Sequence, residues 1–328
     1  MTWLAFFLLT AIIGVGGYYL CKSAEEIGDS LGVSHNWIGA VLLATVTSMP
    51  ELIAGVTAIK MNLPVMAVGN ALGGNLFNLM FVFALDLMYR KRMLFSEANH
   101  AHLLTASLGI LMMGSLLFLI ILEKNHLGFH FFHLGLTAVI IPLLYLLAMK
   151  TLYQFDKKSD QSSVYHSSAG LSRKLVALFS FSALVVIVSG MALPGIGERI
   201  VSEHGWNSAF VGTVFMAIAT SCPEMAVTIA AIRLNAVNLA LSNLLASNIF
   251  NLVIISVDDY FYTTGPIAQV AGIGHMLTIV SGILMTALVM VGLLYRPSKR
   301  IFNTVSVISL IILGMYVINN LTLFRLKE

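Results

Sequence analysis

Apolar residues run through this chain in long blocks, not in the short alternations of a soluble core. A helix rises about 1.5 Å per residue, so crossing the ~30 Å hydrocarbon layer of a bilayer takes roughly 20 mostly apolar residues. Blocks of that length fall near residues 3–21, 38–60, 65–89, 101–122, 128–151, 174–194, 208–232, 236–256, 267–294 and 302–322. They predict an all-α membrane protein of about ten transmembrane helices. The longest polar stretch, Gln154 to Lys174, holds Asp156-Lys157-Lys158-Ser159-Asp160 and a serine-rich run. The expected division is a first five-helix unit over 1–153, a linker over 154–174 and a second five-helix unit over 175–328. The first block, near Trp3–Leu20, has no basic leader and no small-residue cleavage site, and reads as a retained helix.

The two units repeat one another. Thr47-Ser48-Met49-Pro50-Glu51 returns as Thr220-Ser221-Cys222-Pro223-Glu224, an offset of 173 residues. The same offset joins Glu25 to Glu198, Gly39 to Gly212, Ala44 to Ala217, Asn70 to Asn243, Asn75 to Asn248, Phe77 to Phe250 and Asn78 to Asn251. Five helices is an odd number, so the second unit must enter the membrane from the opposite side, which predicts inverted repeats.

Composition sharpens this picture. The chain is 58% hydrophobic and 10% charged, with mean hydropathy +0.91; soluble domains carry about 25% charged residues. The net charge of +3 is small, and the basic residues sit in short loops. That pattern speaks for membrane orientation, not for nucleic-acid binding. With the N-terminus outside, the inner loops hold Lys22, Arg90, Lys91, Arg92, Lys150, Lys157, Lys158, Arg173, Lys174, Arg233, Arg296, Lys299 and Arg300. The outer side holds Lys60, Lys124, Arg199, Arg325 and Lys327. Both termini are therefore expected outside, with the linker in the cytoplasm. The modest size and short linker point to a prokaryotic plasma membrane, and a single copy is the expected unit. Cys21 and Cys222 are too few for a disulfide framework and read as small packing residues.

A carboxylate beside a proline is costly in apolar surroundings, and here it occurs twice. Proline lacks an N–H, so it withdraws the donor that would meet the carbonyl four residues earlier, at Val46 and Ala219. Freed carbonyls in a bilayer need a partner, and a cation is a suitable one. Thr47, Ser48, Thr220 and Ser221 add hydroxyls in the same turns. The second repeated element, Gly69–Asn78 with Ser242–Asn251, contributes amides three residues apart, on nearly one helix face. Every donor in this set is a hard oxygen. Such sets suit Ca²⁺, which takes about six to eight oxygens, and also hold Na⁺. Two carboxylates balance one Ca²⁺ or two H⁺. Asn75 and Asn248 read as structural, and Glu25 and Glu198 sit near helix ends, where a gating role is open. Asp86 reads as a partner of nearby Arg90, and Asp258 and Asp259 as solvated residues at an outer helix end.

At these residues the chain resembles the calcium/cation antiporter superfamily, in particular its sodium/calcium exchanger branch of prokaryotic type. The resemblance is carried by the paired Thr-Ser-X-Pro-Glu and Asn-rich segments, closely over 38–89 and 211–262. It implies a secondary active antiporter that exchanges Ca²⁺ for Na⁺ by alternating access. Ca²⁺ would lie between Glu51 and Glu224, with the Thr47 and Thr220 carbonyls. Na⁺ would use Ser48, Ser221, Thr47, Thr220, the carbonyls of Ala44 and Ala217, Ser247, Asn78 and Asn251. The first and sixth helices would slide across the other eight. No resident cofactor is implied; Ca²⁺ and Na⁺ are cargo. Gly73-Gly74 and Ala246-Ser247 stand where proton-coupled members usually place a Glu, and Asn251 where potassium-dependent members carry Asp. Val46 and Ala219 replace glycines of the family pattern. Gly74 replaces a serine, so one hydroxyl that resembles a sodium ligand is missing.

Three other readings stay open at this level. A Ca²⁺/H⁺ antiporter would use the same scaffold, with protons on Glu51 and Glu224. A channel is disfavoured by the broken, inverted helices. A membrane metalloenzyme would need His126, His130 and His133, spaced to share one helical face, as ligands; they lack a repeat partner. No nucleophile–histidine–acid arrangement stands out, so no catalysis is expected.

Overall fold

Helical elements follow the hydropathy blocks through the described residues. The computed structural model describes residues 1–30, 43–91, 93–99, 101–129, 132–159, 172–297, 299–301 and 304–326, with the backbone alone at 25, 28, 29 and 156–159. Gly39, Arg92, His100, His130, Lys327, most of the 154–174 stretch and the Glu25 side chain lie outside the described residues.

In the first half, α1 spans Thr2–Ser30 and α2 is broken into α2a, Ala44–Thr47, and α2b, Met49–Lys60. Then come α3, Pro64–Met88, α4, Ala101–Lys124, and α5, Thr137–Ser159. The second half holds α6, Arg173–His204, then α7a, Ser208–Thr220, and α7b, Cys222–Arg233. It ends with α8, Val237–Phe261, α9, Ile273–Tyr295, and α10, Val307–Arg325. Among the described residues eight helices are long and apolar enough to cross a membrane, and the α7 pair, bent by 47°, makes a ninth. Element α2 carries the same break, with 31–42 before it outside the described residues. The ten-helix layout is borne out. Some ends differ from the hydropathy blocks. α1 and α6 run on to Ser30 and His204, and α5 begins at Thr137 because turns occupy 132–136.

The breaks have one local cause. Pro50 and Pro223 each sit in the first turn of the second half-helix, where a missing N–H is tolerated. The residue between the halves leaves helical geometry in the same way twice: Ser48 at φ −84°, ψ 10° and Ser221 at φ −83°, ψ 8°. A π-helical turn, Gly212–Met216, lies within α7a just ahead of its break, a feature common at functional sites.

Packing exchanges equivalent elements between halves. α1 lies on α7b, α6 lies on α2b, and α1 and α6 lie on each other. Both contacts are made at a glycine. A Cβ on Gly17 would stand 2.2 Å from Cγ of Pro223. On Gly190, its partner at the 173 offset, a Cβ would stand 3.2 Å from Ile53 and 3.5 Å from the Pro50 carbonyl. α3 and α8 cross at the centre, with α4, α5, α9 and α10 outside them. The exchange recurs at helix ends. His102 Nε2 lies 3.1 Å from Asn238 Oδ1, and His275 Nε2 lies 3.0 Å from the Val65 carbonyl; both partners of each residue are 173 apart. This reciprocity is the mark of a two-fold-related, inverted pair.

Three acidic residues correct the sequence reading. Asp86 accepts hydrogen bonds from Ser306 N and Ser309 Oγ, both 2.7 Å, at the start of α10. Asp259, 173 residues on, accepts from Gly135 N, Thr137 Oγ1 and Ile267 N at the start of α5 and of the short helix Ile267–Val270. Each carboxylate thus satisfies orphan N–H groups of a helix terminus in the other half, where pairing with Arg90 and solvation were expected. Asp258 is also fully buried.

Candidate ion-binding site

The two breaks meet at the centre of the fold, each contributing a hydroxyl and a carboxylate. Ser221 Oγ donates to Glu51 Oε1 at 2.7 Å, and Ser48 Oγ donates to Glu224 Oε1 at 3.0 Å. The pairs are crossed: the serine of each break serves the glutamate of the other. The second oxygen of each carboxylate, Oε2, has no hydrogen-bond partner. Both glutamates and both serines are 0% exposed, and among the described residues no Lys or Arg is buried. Two carboxylates are buried together without a basic partner, an arrangement whose charge and hard oxygens suit a cation.

The surrounding shell is polar and buried. Thr47 Oγ1 lies 3.2 Å from Ser247 Oγ and donates to the Ala44 carbonyl at 3.1 Å. Thr220 Oγ1 lies 3.1 Å from Asn70 Oδ1 and from the Met216 carbonyl, and 3.3 Å from the Ala217 carbonyl. The Ala44 and Ala217 carbonyls also take the Ser48 and Ser221 amides, at 3.1 and 3.0 Å. Within this structure both carbonyls therefore serve the backbone turn.

The asparagines break the two-fold relation. Asn78 Nδ2 donates to Asn248 Oδ1 at 3.1 Å, and Asn248 Nδ2 donates to the Asn75 carbonyl at 3.3 Å. Neither amide atom of Asn251 or of Asn75 has a partner. The equal treatment of Asn78 and Asn251 in the sequence reading does not hold here: one is tied, the other is open. Gly74 explains part of this. A Cβ there would lie 2.9 Å from Asn251 Nδ2 and 3.5 Å from Ser221 Oγ, so a serine at 74 would face the residues its counterpart Ser247 leaves alone.

Asn70 is a site-adjacent residue that the sequence reading left without a role. Its Nδ2 donates to the Glu51 carbonyl at 3.3 Å while its Oδ1 accepts from Thr220, so it clasps both breaks. The signal was its recurrence as Asn243, which instead donates to Thr228 Oγ1 at 3.3 Å. Of the three clustered histidines, His130 lies outside the described residues. His126 lies in the left-handed region at φ 56° beyond the end of α4, and His133 lies 3.3 Å from the Tyr260 carbonyl. These positions are turns, so the supposed common helical face is absent, and no group of three His, Cys, Asp or Glu among the described residues forms a metal centre.

With this geometry in hand, the profile of the sodium/calcium exchanger protein family matches residues 1–154 and 174–322. The chain belongs to that family. It is a multi-pass integral membrane protein of a transporter family, not of an enzyme family. It is 25% identical over 277 residues to inner membrane protein YrbG of Escherichia coli, covering 80% of this chain and 83% of that one. It is 25% identical over 284 residues to sodium/calcium exchanger MaX1 of Methanosarcina acetivorans, covering 75% and 79%. The fold is similar to that of the sodium-calcium exchanger NCX_Mj, with a TM-score of 0.64 at 20% identity over 99% of this chain and 98% of that one.

Proposed function

We propose that this protein exchanges Ca²⁺ for Na⁺ across a plasma membrane by alternating access. The observation that carries the reading is the crossed Ser48–Glu224 and Ser221–Glu51 arrangement, with one carboxylate oxygen of each pair left over. One Ca²⁺ between Glu51 and Glu224 balances both charges and takes hard oxygen ligands that the site already holds. Thr47 and Thr220 carbonyls would complete it. Na⁺ would use neutral oxygens of Ser48, Ser221, Thr47, Thr220, Ala44, Ala217, Ser247, Asn78 and Asn251. Hydroxyls suit both states, because each can donate to a carboxylate or turn a lone pair to a cation.

The α1–α6 pair would move as a unit across α2b and α7b, with Gly17 and Gly190 giving smooth, close tracks against the two prolines. The division at 154–174 separates the two five-helix units, and the basic loops favour both termini outside. A single copy suffices, since both halves of the site lie in one chain.

A Ca²⁺/H⁺ antiporter is the second reading, favoured by one observation: Gly74 offers no hydroxyl opposite Ser247, which weakens the sodium shell. Ca²⁺ uptake into proteoliposomes loaded with Na⁺ and diluted into Na⁺-free buffer separates the two. Uptake that requires internal Na⁺ and ignores a pH gradient supports sodium exchange; uptake driven by the pH gradient alone supports the second reading.

A further inference from the structure

Asp258 differs from the other buried acids. It lies on α8, seven residues beyond Asn251, and is 0% exposed. Neither of its carboxylate oxygens has a hydrogen-bond partner. Its neighbour Asp259 and its near-relation Asp86 are both supplied with donors at helix termini. A buried carboxylate without donors or a counter-charge costs several kcal/mol, so such a group is kept for something that arrives.

Its placement says what arrives. The carboxylate presses against α2b at Gly55, where a Cβ would stand 2.7 Å from Oδ2 and 2.9 Å from Oδ1. Gly55 follows Glu51 by one helical turn on the same face. α2b then ends at Lys60, whose Nζ lies 5.7 Å from the ring centroid of Phe261, at the end of α8. Asp258 therefore stands between the Glu51–Glu224 centre and the membrane face marked by Lys60 and Phe261. At the 173 offset the equivalents are Leu85 and Thr228, both buried, with Thr228 taking a hydrogen bond from Asn243. Neither of these equivalents is an acid.

We infer that Asp258, seated over Gly55, binds one monovalent metal cation on the path between the central site and that face. The inference rests on the antiport reading. Asp259 is next along the chain, but its oxygens are already taken by Gly135 N, Thr137 Oγ1 and Ile267 N; the one open carboxylate neutralises one monovalent charge. A cation here also lies about one turn from Glu51, close enough to repel a cation at the centre. Loading Asp258 then favours departure of the central ion, as between adjacent sites in a multi-ion pore. Because the site exists on one path only, the two faces of the exchanger respond differently to the same cation.

Crystals of the full chain soaked in Tl⁺, a monovalent ion with strong anomalous scattering, test this directly. An anomalous peak within coordination distance of Asp258 is expected, lost in Asp258→Asn while a peak at Glu51 and Glu224 remains. Asparagine is nearly isosteric with a neutral aspartic acid, so a merely structural role predicts wild-type behaviour of this variant. In sided vesicles Asp258→Asn should raise the half-saturating Na⁺ concentration several-fold from one face and leave it unchanged from the other. Gly55→Ala displaces the carboxylate without removing it and should give the same one-sided shift if Asp258→Asn fails to fold. Tl⁺ at the centre with none at Asp258, or equal shifts from both faces, overturns the inference and leaves sodium exchange standing. Tl⁺ at neither place, with Ca²⁺ uptake indifferent to Na⁺, overturns both.

Discussion

Ser221 donates a 2.7 Å hydrogen bond to Glu51, a residue 170 positions earlier in the chain. The carboxylate is thus held by the opposite half, and its free oxygen is aimed by that bond. Removing the charge should remove the cation. Glu51→Gln or Glu224→Gln is expected to weaken Ca²⁺ binding by about 100-fold or more, roughly 3 kcal/mol, and to abolish uptake. Calorimetry on purified protein and isotope uptake in liposomes check it; retained uptake in both variants would refute the site.

Asn251 and Ser221 both face position 74. Gly74→Ser would place a hydroxyl beside Asn251 Nδ2 and Ser221 Oγ and restore the counterpart of Ser247. The expected outcome is a lower half-saturating Na⁺ concentration or a steeper Hill slope. Identical Na⁺ curves for the two proteins would remove the missing hydroxyl as a factor in coupling.

On the alternating-access reading, the glycine at 17 concerns movement, not binding. A Cβ there would overlap the Pro223 ring, and neither proline ring nor helix backbone yields easily. Gly17→Val should slow or stop transport while Ca²⁺ still binds at near wild-type affinity. A variant that transports normally would show that α1 does not run along Pro223.

Asp86 is expected to matter for folding alone. Asp86→Ala strands Ser306 N and Ser309 Oγ at the start of α10, a cost of about 1–3 kcal/mol. Thermal unfolding in detergent should shift downward, with ion dependence of the surviving activity unchanged. A shifted Ca²⁺ or Na⁺ dependence would mean that the cap communicates with the centre.

Much of this architecture was legible because it is written twice. A constant offset of 173 locates both breaks, and the prolines explain them. What the repeat cannot convey is which copies touch. The crossing of Ser48 with Glu224, the bond from Asn78 to Asn248, and the capping of α10 by Asp86 all join residues about 170 or more apart. Arg90 lies four residues from Asp86, just past the end of α3 and a legible neighbour, yet buried donors at the start of α10 hold that carboxylate. His126 and His133 failed for a related reason: helical spacing has meaning only where a helix exists, and α4 ends before them. Asp258 was misread because its position near a helix end resembles exposure, whereas α2b covers it at a residue with no side chain.

The absence of buried Lys and Arg among the described residues has a consequence for economy of transport. Many carriers hold their acids in check with an internal cation of their own, and so can reorient unladen. On the proposed exchange reading, Glu51 and Glu224 would have only what they carry. Reorientation of a bare dianionic centre would drag uncompensated charge through the hydrophobic interior, so each half-cycle would wait for cargo. The omission of a base would then suppress slippage, with no separate lock required.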